Sequence, residues 1–214
     1  SKICLRAIQI IFLFLTSHSL TAQEKLLPVF HFNRLTTADG LPINEIRSNV
    51  VRDNQGFVWI PTINGLARYD GYTCRVYRNQ PGDSKSISSN SLMSIYVDKR
   101  NRLWIGTWDA GISVFDPARE KFINIYPRKN DRNWLTFRTI WFIREDKQGN
   151  VWVMGTNGEV ESINMSELVN YEDPDSLFTH IRFSDYSPLT RTNKTWEIES
   201  WGKRNIILST AKGF

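Results

Sequence analysis

One stretch recurs along this chain and leaves few folds open to it. Val97-Asp98-Lys99-Arg100-Asn101-Arg102-Leu103-Trp104-Ile105-Gly106-Thr107 has an upstream copy, Val51-Arg52-Asp53-Asn54-Gln55-Gly56-Phe57-Val58-Trp59-Ile60-Pro61-Thr62. It has a downstream copy, Glu145-Asp146-Lys147-Gln148-Gly149-Asn150-Val151-Trp152-Val153-Met154-Gly155-Thr156. A faded version runs from Trp201 to Thr210. In the three good copies Asp stands six residues before Trp, and the Trp positions lie 45 and then 48 residues apart. A fixed period of about 40–50 residues with strand-like content is the mark of a β-propeller array.

Each unit reads as four strands, a to d. Strand a is the apolar run before the Asp, as in Leu92-Met93-Ser94-Ile95-Tyr96-Val97. Asp53, Asp98 and Asp146 open tight turns, because an Asp carboxylate can bond the backbone amides ahead of it. Gly56 and Gly149 supply the positive φ such a turn needs, and Asn101 stands in for Gly in the second copy. Strand b carries Trp59, Trp104 or Trp152, a packing wedge between neighbouring blades. Asn64-Gly65 and Asn157-Gly158 turn strand b into strand c. Strand d is the more polar outer edge, Cys74-Arg75-Val76-Tyr77 and Phe122-Ile123-Asn124-Ile125-Tyr126. The fold class is therefore all-β, a propeller of four-stranded antiparallel blades, with about three and a half blades in this sequence.

The pattern Asp-x-x-Gly-x-Val-Trp-Ile-x-Thr, followed by Gly-Leu-x-x-Tyr-Asp, resembles the two-component regulator propeller repeat. Phe32-Asn33-Arg34-Leu35-Thr36-Thr37-Ala38-Asp39-Gly40-Leu41-Pro42 is similar to the lead-in before the first such repeat. The resemblance covers about residues 30–214. It implies a ring of seven blades, of which this chain would be the first half. It further implies the periplasmic sensor of a hybrid two-component system of the kind common in Bacteroidetes. Such sensors detect breakdown products of polysaccharides and signal through a histidine kinase. The partners it implies are an oligosaccharide, the rest of the propeller, the kinase, and a second copy in a homodimer.

Residues 1–22 carry Lys2 and Arg6, then the apolar run from Ile8 to Leu15, then small and polar residues ending at Ala22. That is the layout of a secretory signal peptide, and its apolar core is short for a membrane span. Residues 23–42 form the lead-in, with a strand at Val29–Leu35 that could close a ring. Residues 43–214 hold the blades: 43–90, 91–138, 139–194 and a partial unit at 195–214. Loss of the two cations Lys2 and Arg6 takes the net charge from +5 to +3. That excess is small and scattered over turns, so a nucleic-acid partner is not expected. Cys74 is left as the single cysteine, and a buried strand position is expected for it.

The chain has 3 histidines, and no Cys or His cluster has metal-ligand spacing. Neither a nucleophile elbow nor a phosphate-binding loop is present. No catalytic residue, metal or cofactor is expected. Strand alternation puts the b-to-c turns and the d-to-a connections on one face, where loop-borne function belongs. The candidate ligand residues there are Asn64, Trp108, Asp109, Trp134, Arg138 and Asn157. Trp108 and Trp134 break the repeat. Each either stacks against a sugar ring or packs between loops. Arg138 would favour a carboxylate or sulfate. Asn64 and Asn157 have a simpler reading as turn residues before Gly. Trp141 lies within a strand a and is expected in the interior. A secreted propeller scaffold for adhesion or protein assembly is the alternative to a sensor.

Overall fold

The structure is a computed structural model that describes residues 34–128, 135–156 and 160–163, and the backbone of two further strands at 195–201 and 205–210. The signal segment, the strand expected ahead of Leu35, Trp134 and Asn157 lie outside the described residues. The blades belong to a unit that begins at Leu35.

Blade 1 is a four-stranded antiparallel sheet of β1 (Val51–Arg52), β2 (Val58–Thr62), β3 (Gly65–Tyr69) and β4 (Cys74–Tyr77), paired in chain order. Blade 2 repeats it with β5 (Leu92–Val97), β6 (Leu103–Thr107), β7 (Ile112–Asp116) and β8 (Lys121–Ile125). In blade 3, β9 (Ile140–Glu145), β10 (Val151–Gly155) and β11 (Val160–Ile163) pair in the same order. A hairpin of β12 (Thr195–Trp201) and β13 (Asn205–Thr210) occupies the faded fourth copy. The alternation of four short strands with tight turns is that of a β-propeller.

The b and c strands of blade 2 are buried on both faces because that blade is sandwiched between blades 1 and 3. Trp59, Leu66 and Ile87 pack against Ile95, Leu103, Ile105 and Phe115 between blades 1 and 2. Trp104, Ile112 and Val114 pack against Ile143, Val151 and Val153 between blades 2 and 3. Trp59 and Trp104 are wholly buried. Each such ring takes about 150–250 Å² out of water, on the order of 4–6 kcal/mol before the entropy of ordering. The first interface adds an aromatic knot in which Trp59 and Phe115 lie 5.2 Å apart and Phe115 and Phe122 4.7 Å apart.

Glycine is obligatory at the start of strand c. Gly65 has φ +113°, and a Cβ there would meet the Tyr77 carbonyl at 2.7 Å. Gly111, its counterpart in blade 2, has φ +78° and would meet the Ile125 carbonyl.

Two expectations need correction. Trp141 is 40% exposed rather than interior. A β-bulge takes it out of the alternation: Gly155 pairs with Ile140 and Met154 with Phe142, so Trp141 is the extra residue of β9. The same shift falls at Met93, where Thr107 pairs with Leu92 and Gly106 with Ser94. Cys74 is half-buried at the outer edge, where burial raises its thiol pKa, and Asp39 and Asp70 push it the same way.

Candidate functional site

The two ends of the blades differ in how their polar groups are used. At the a-to-b end, one Asp carboxylate closes each turn and holds the Trp that follows. Asp53 Oδ1 accepts the amides of Gln55 and Phe57, and its Oδ2 accepts Trp59 Nε1 at 2.8 Å. Asp98 Oδ1 accepts the amides of Arg100 and Arg102, and its Oδ2 accepts Trp104 Nε1 at 2.9 Å. Asp146 takes the Asn150 amide on Oδ1 and Trp152 Nε1 on Oδ2 at 2.9 Å. The six-residue spacing thus sets a buried carboxylate under the indole N–H of the same blade. That second bond was missed because turn formation alone accounts for the Asp.

Gly56 and Gly149 adopt φ of 94° and 90°, and Asn101 takes φ 62° in their place. Asn101 also reaches across, its Oδ1 accepting the Asn54 amide of blade 1 at 2.8 Å. Lys99 ties blade 2 to blade 3, donating its amide to Glu145 Oε2 at 3.0 Å and its ammonium to the Asp146 carbonyl at 2.9 Å. Arg102 pairs with Asp98 at 2.6 Å, and both side chains are almost wholly buried. Burial works to raise the pKa of Asp146, but the bonds from Trp152, Asn150 and the turn amides outweigh it and hold the carboxyl below its ordinary value.

At the opposite end, the b-to-c turns meet the d-to-a connections, as alternation requires. Gly65 N donates to the Asn90 carbonyl and Gly111 N to the Arg138 carbonyl, each at 2.8 Å. Asn64 is a turn residue. Its amide nitrogen donates to Thr62 Oγ1 at 3.0 Å, and its side chain donates to the Pro42 carbonyl at 3.3 Å.

Trp108, Asp109 and Arg138 come together. Trp108 is 47% exposed and meets Trp141 edge-to-face, with centroids 5.8 Å apart and planes at 77°. Arg138 Nε donates to the Asp109 carbonyl at 2.9 Å, and Thr139 Oγ1 to the Trp108 carbonyl at 2.5 Å. The Trp108 amide continues the ladder to the Ser91 carbonyl at 2.9 Å. The turn is therefore pinned from both blades while its side chains face out. Trp141 was not among the sequence candidates; its one signal was that blade 2 has Met93 at the same place. It lines a cavity of about 680 Å³ together with residues ahead of β1 and residues of β5, β9 and β10, including Ile46, Asn49, Met93 and Arg144.

Among the described residues no group of three or more His, Cys, Asp and Glu could hold a metal ion. No helix among them is long and apolar enough to cross a membrane.

Residues 86–109, from the connection into blade 2 through its Trp108–Asp109 turn, match the family described as two component regulator propeller. That match falls on the second repeat, whose Asp-to-Trp spacing the first and third copies share. Similar solved structures come from B. thetaiotaomicron. One is the extracellular domain of a protein described as a hybrid two-component system, 25% identical, with a TM-score of 0.66 over 78% of this chain and 22% of that one. Another, described as a one-component system, is 24% identical with a TM-score of 0.59 over the same shares and bears on the fold alone. A histidine kinase of Formosa agariphila is 41% identical over 59 residues, 28% of this chain and 4% of the kinase. The propeller thus spans a small fraction of the length of each relative.

Proposed function

We propose that this chain is part of the periplasmic ligand-sensing propeller of a hybrid two-component regulator, that it recognises oligosaccharides, and that it signals through a histidine kinase. The observation that carries this reading is the exposed Trp108–Trp141 pair on a turn pinned by the next blade. A sugar presents an apolar C–H face and a ring of hydroxyls. An exposed indole fixed in place takes the first, and neighbouring polar groups such as Asp109 take the second. Fixing the turn in advance lowers the ordering cost of binding. The likeness to extracellular domains of two-component systems supports export and signalling. The regulator dimerises, in this reading, so that ligand on the propeller can bias paired kinases.

The test is titration calorimetry of the full-length protein with a panel of oligosaccharides. A ligand is expected to bind wild type and to lose about tenfold or more in affinity in Trp108→Ala, the size of a removed aromatic contact. Equal binding by wild type and a folded Trp108→Ala protein rules the site out.

A further inference from the structure

Resting on that reading of the rim, we propose that the site selects acidic oligosaccharides, gripped at two points by Arg78 and Arg138, which are tethered to the b-to-c turns of successive blades. The two arginines reach the rim from different places in the repeat. Arg78 follows β4 of blade 1, and Arg138 precedes β9 of blade 3. Yet they are held alike. Arg78 Nε donates to the Asn64 carbonyl at 3.2 Å, and Arg138 Nε donates to the Asp109 carbonyl at 2.9 Å. Asn64 and Asp109 occupy corresponding b-to-c turns, one blade apart. Each turn therefore carries one tethered guanidinium.

The tether decides what each arginine can do. With Nε committed to a backbone carbonyl, the plane of the guanidinium is oriented, and its terminal nitrogens remain as a fork. Both side chains are exposed, and neither makes an ion pair among the described residues. Arg47, Arg68, Arg75, Arg102 and Arg119, by contrast, each lie against a carboxylate. A planar, oriented fork with no internal acid matches a carboxylate or a sulfate bidentately. Two forks on neighbouring turns, with the indole of Trp108 on the second, suit a chain of sugar rings bearing repeated negative groups. A neutral glycan would leave both forks to water. Asp109 is exposed on the same turn, and its carboxylate suits a sugar hydroxyl.

The experiment is calorimetry on the full-length protein with matched probes: tetragalacturonate against its methyl ester, and a chondroitin sulfate tetrasaccharide against its desulfated form with the carboxyls esterified. Proteins are wild type, Arg78→Gln, Arg138→Gln and Trp108→Ala. The expected result is that at least one acidic probe binds wild type about tenfold or more tightly than its neutral partner, as a charge-assisted contact implies. Each arginine variant then loses affinity for the acid and leaves the neutral form unchanged, while Trp108→Ala weakens both. If neutral and acidic forms bind alike, with loss in Trp108→Ala alone, the sugar site stands and the acidic selection is overturned. If an acid is preferred but both arginine variants keep the preference, the two-point grip is wrong. If wild type binds none of the four probes, the acidic-sugar assignment and the rim site both fall.

Discussion

The a-to-b end and the b-to-c end of these blades are made from the same strands, yet they solve opposite problems. At the first, the donors around each turn converge on an acceptor within the fold: turn amides and the indole on one Asp, a neighbouring amide on Asn101, a lysine on the next blade's carbonyls. At the second, backbone groups are tied down while aromatic faces and guanidinium forks are left outward. Repetition marks the first end and departure from repetition marks the second. A position that every blade needs is fixed by the physics of one blade. A residue found in a single blade is free to answer to something outside it.

The comparison can be broken most severely at Asp98. Asp98→Ala removes the carboxylate that pairs with the buried Arg102 and accepts the Trp104 indole N–H. It should cost about 3–5 kcal/mol in urea unfolding, the range for a broken buried pair. Trp104→Ala should cost a similar amount, about 3–5 kcal/mol, by leaving a cavity between blades 2 and 3. A loss below about 1 kcal/mol for either would place that end outside the packed interior.

Gly65→Ala tests the backbone of the b-to-c end. Its positive φ and the approach of the Tyr77 carbonyl set an expected cost of about 1–3 kcal/mol, read from the shift in denaturant midpoint. Gly82→Ala is the control, since its φ is also positive but its Cβ would meet open space. It should cost less than Gly65→Ala.

Asp146 sharpens the contrast through pH. Its folded-state carboxyl sits below the ordinary value of 3.8, so it binds fewer protons folded than unfolded on the acid side. Its contribution is complete above the ordinary carboxylate range. It is lost as pH falls through 3.8 and on through the lower folded-state value. Asp146→Asn should flatten that part of the stability profile relative to wild type. An unchanged acid limb would mean that Trp152 and Asn150 do not hold the ionised form.

The smallest stability effects belong at the rim. Trp108→Ala and Arg138→Gln should each change unfolding free energy by about 0.5 kcal/mol or less, as exposed substitutions do, while binding carries the consequence. A loss above about 2 kcal/mol for Trp108→Ala would recast that ring as an interloop packing residue.

How far the sequence carried the fold is visible in its strands. The Asp-to-Trp spacing and the Gly after each b strand placed four strands per blade, and the observed β5 coincides with the expected Leu92–Val97 run. A repeat reports the same constraint three times, which is why this part was legible. The indole–carboxylate bond was not, because the turn already explained each Asp. Trp141 was misplaced because alternation carries no sign of a bulge, and one extra residue sends the side chain elsewhere. Arg78 escaped notice because its link to Asn64 joins residues 14 apart across β3 and β4, with no motif to announce it. Of the rim candidates, Trp108, Asp109 and Arg138 converge, and Asn64 serves its turn.

The most direct test of the division between the two ends is amide hydrogen exchange on the full-length protein, with and without a saturating oligosaccharide. Binding at the rim should slow exchange at residues 107–111 and 138–141 and leave the turns at 53–57, 98–102 and 146–150 unchanged. Protection confined to those turns, with none at 107–111, would contradict the account.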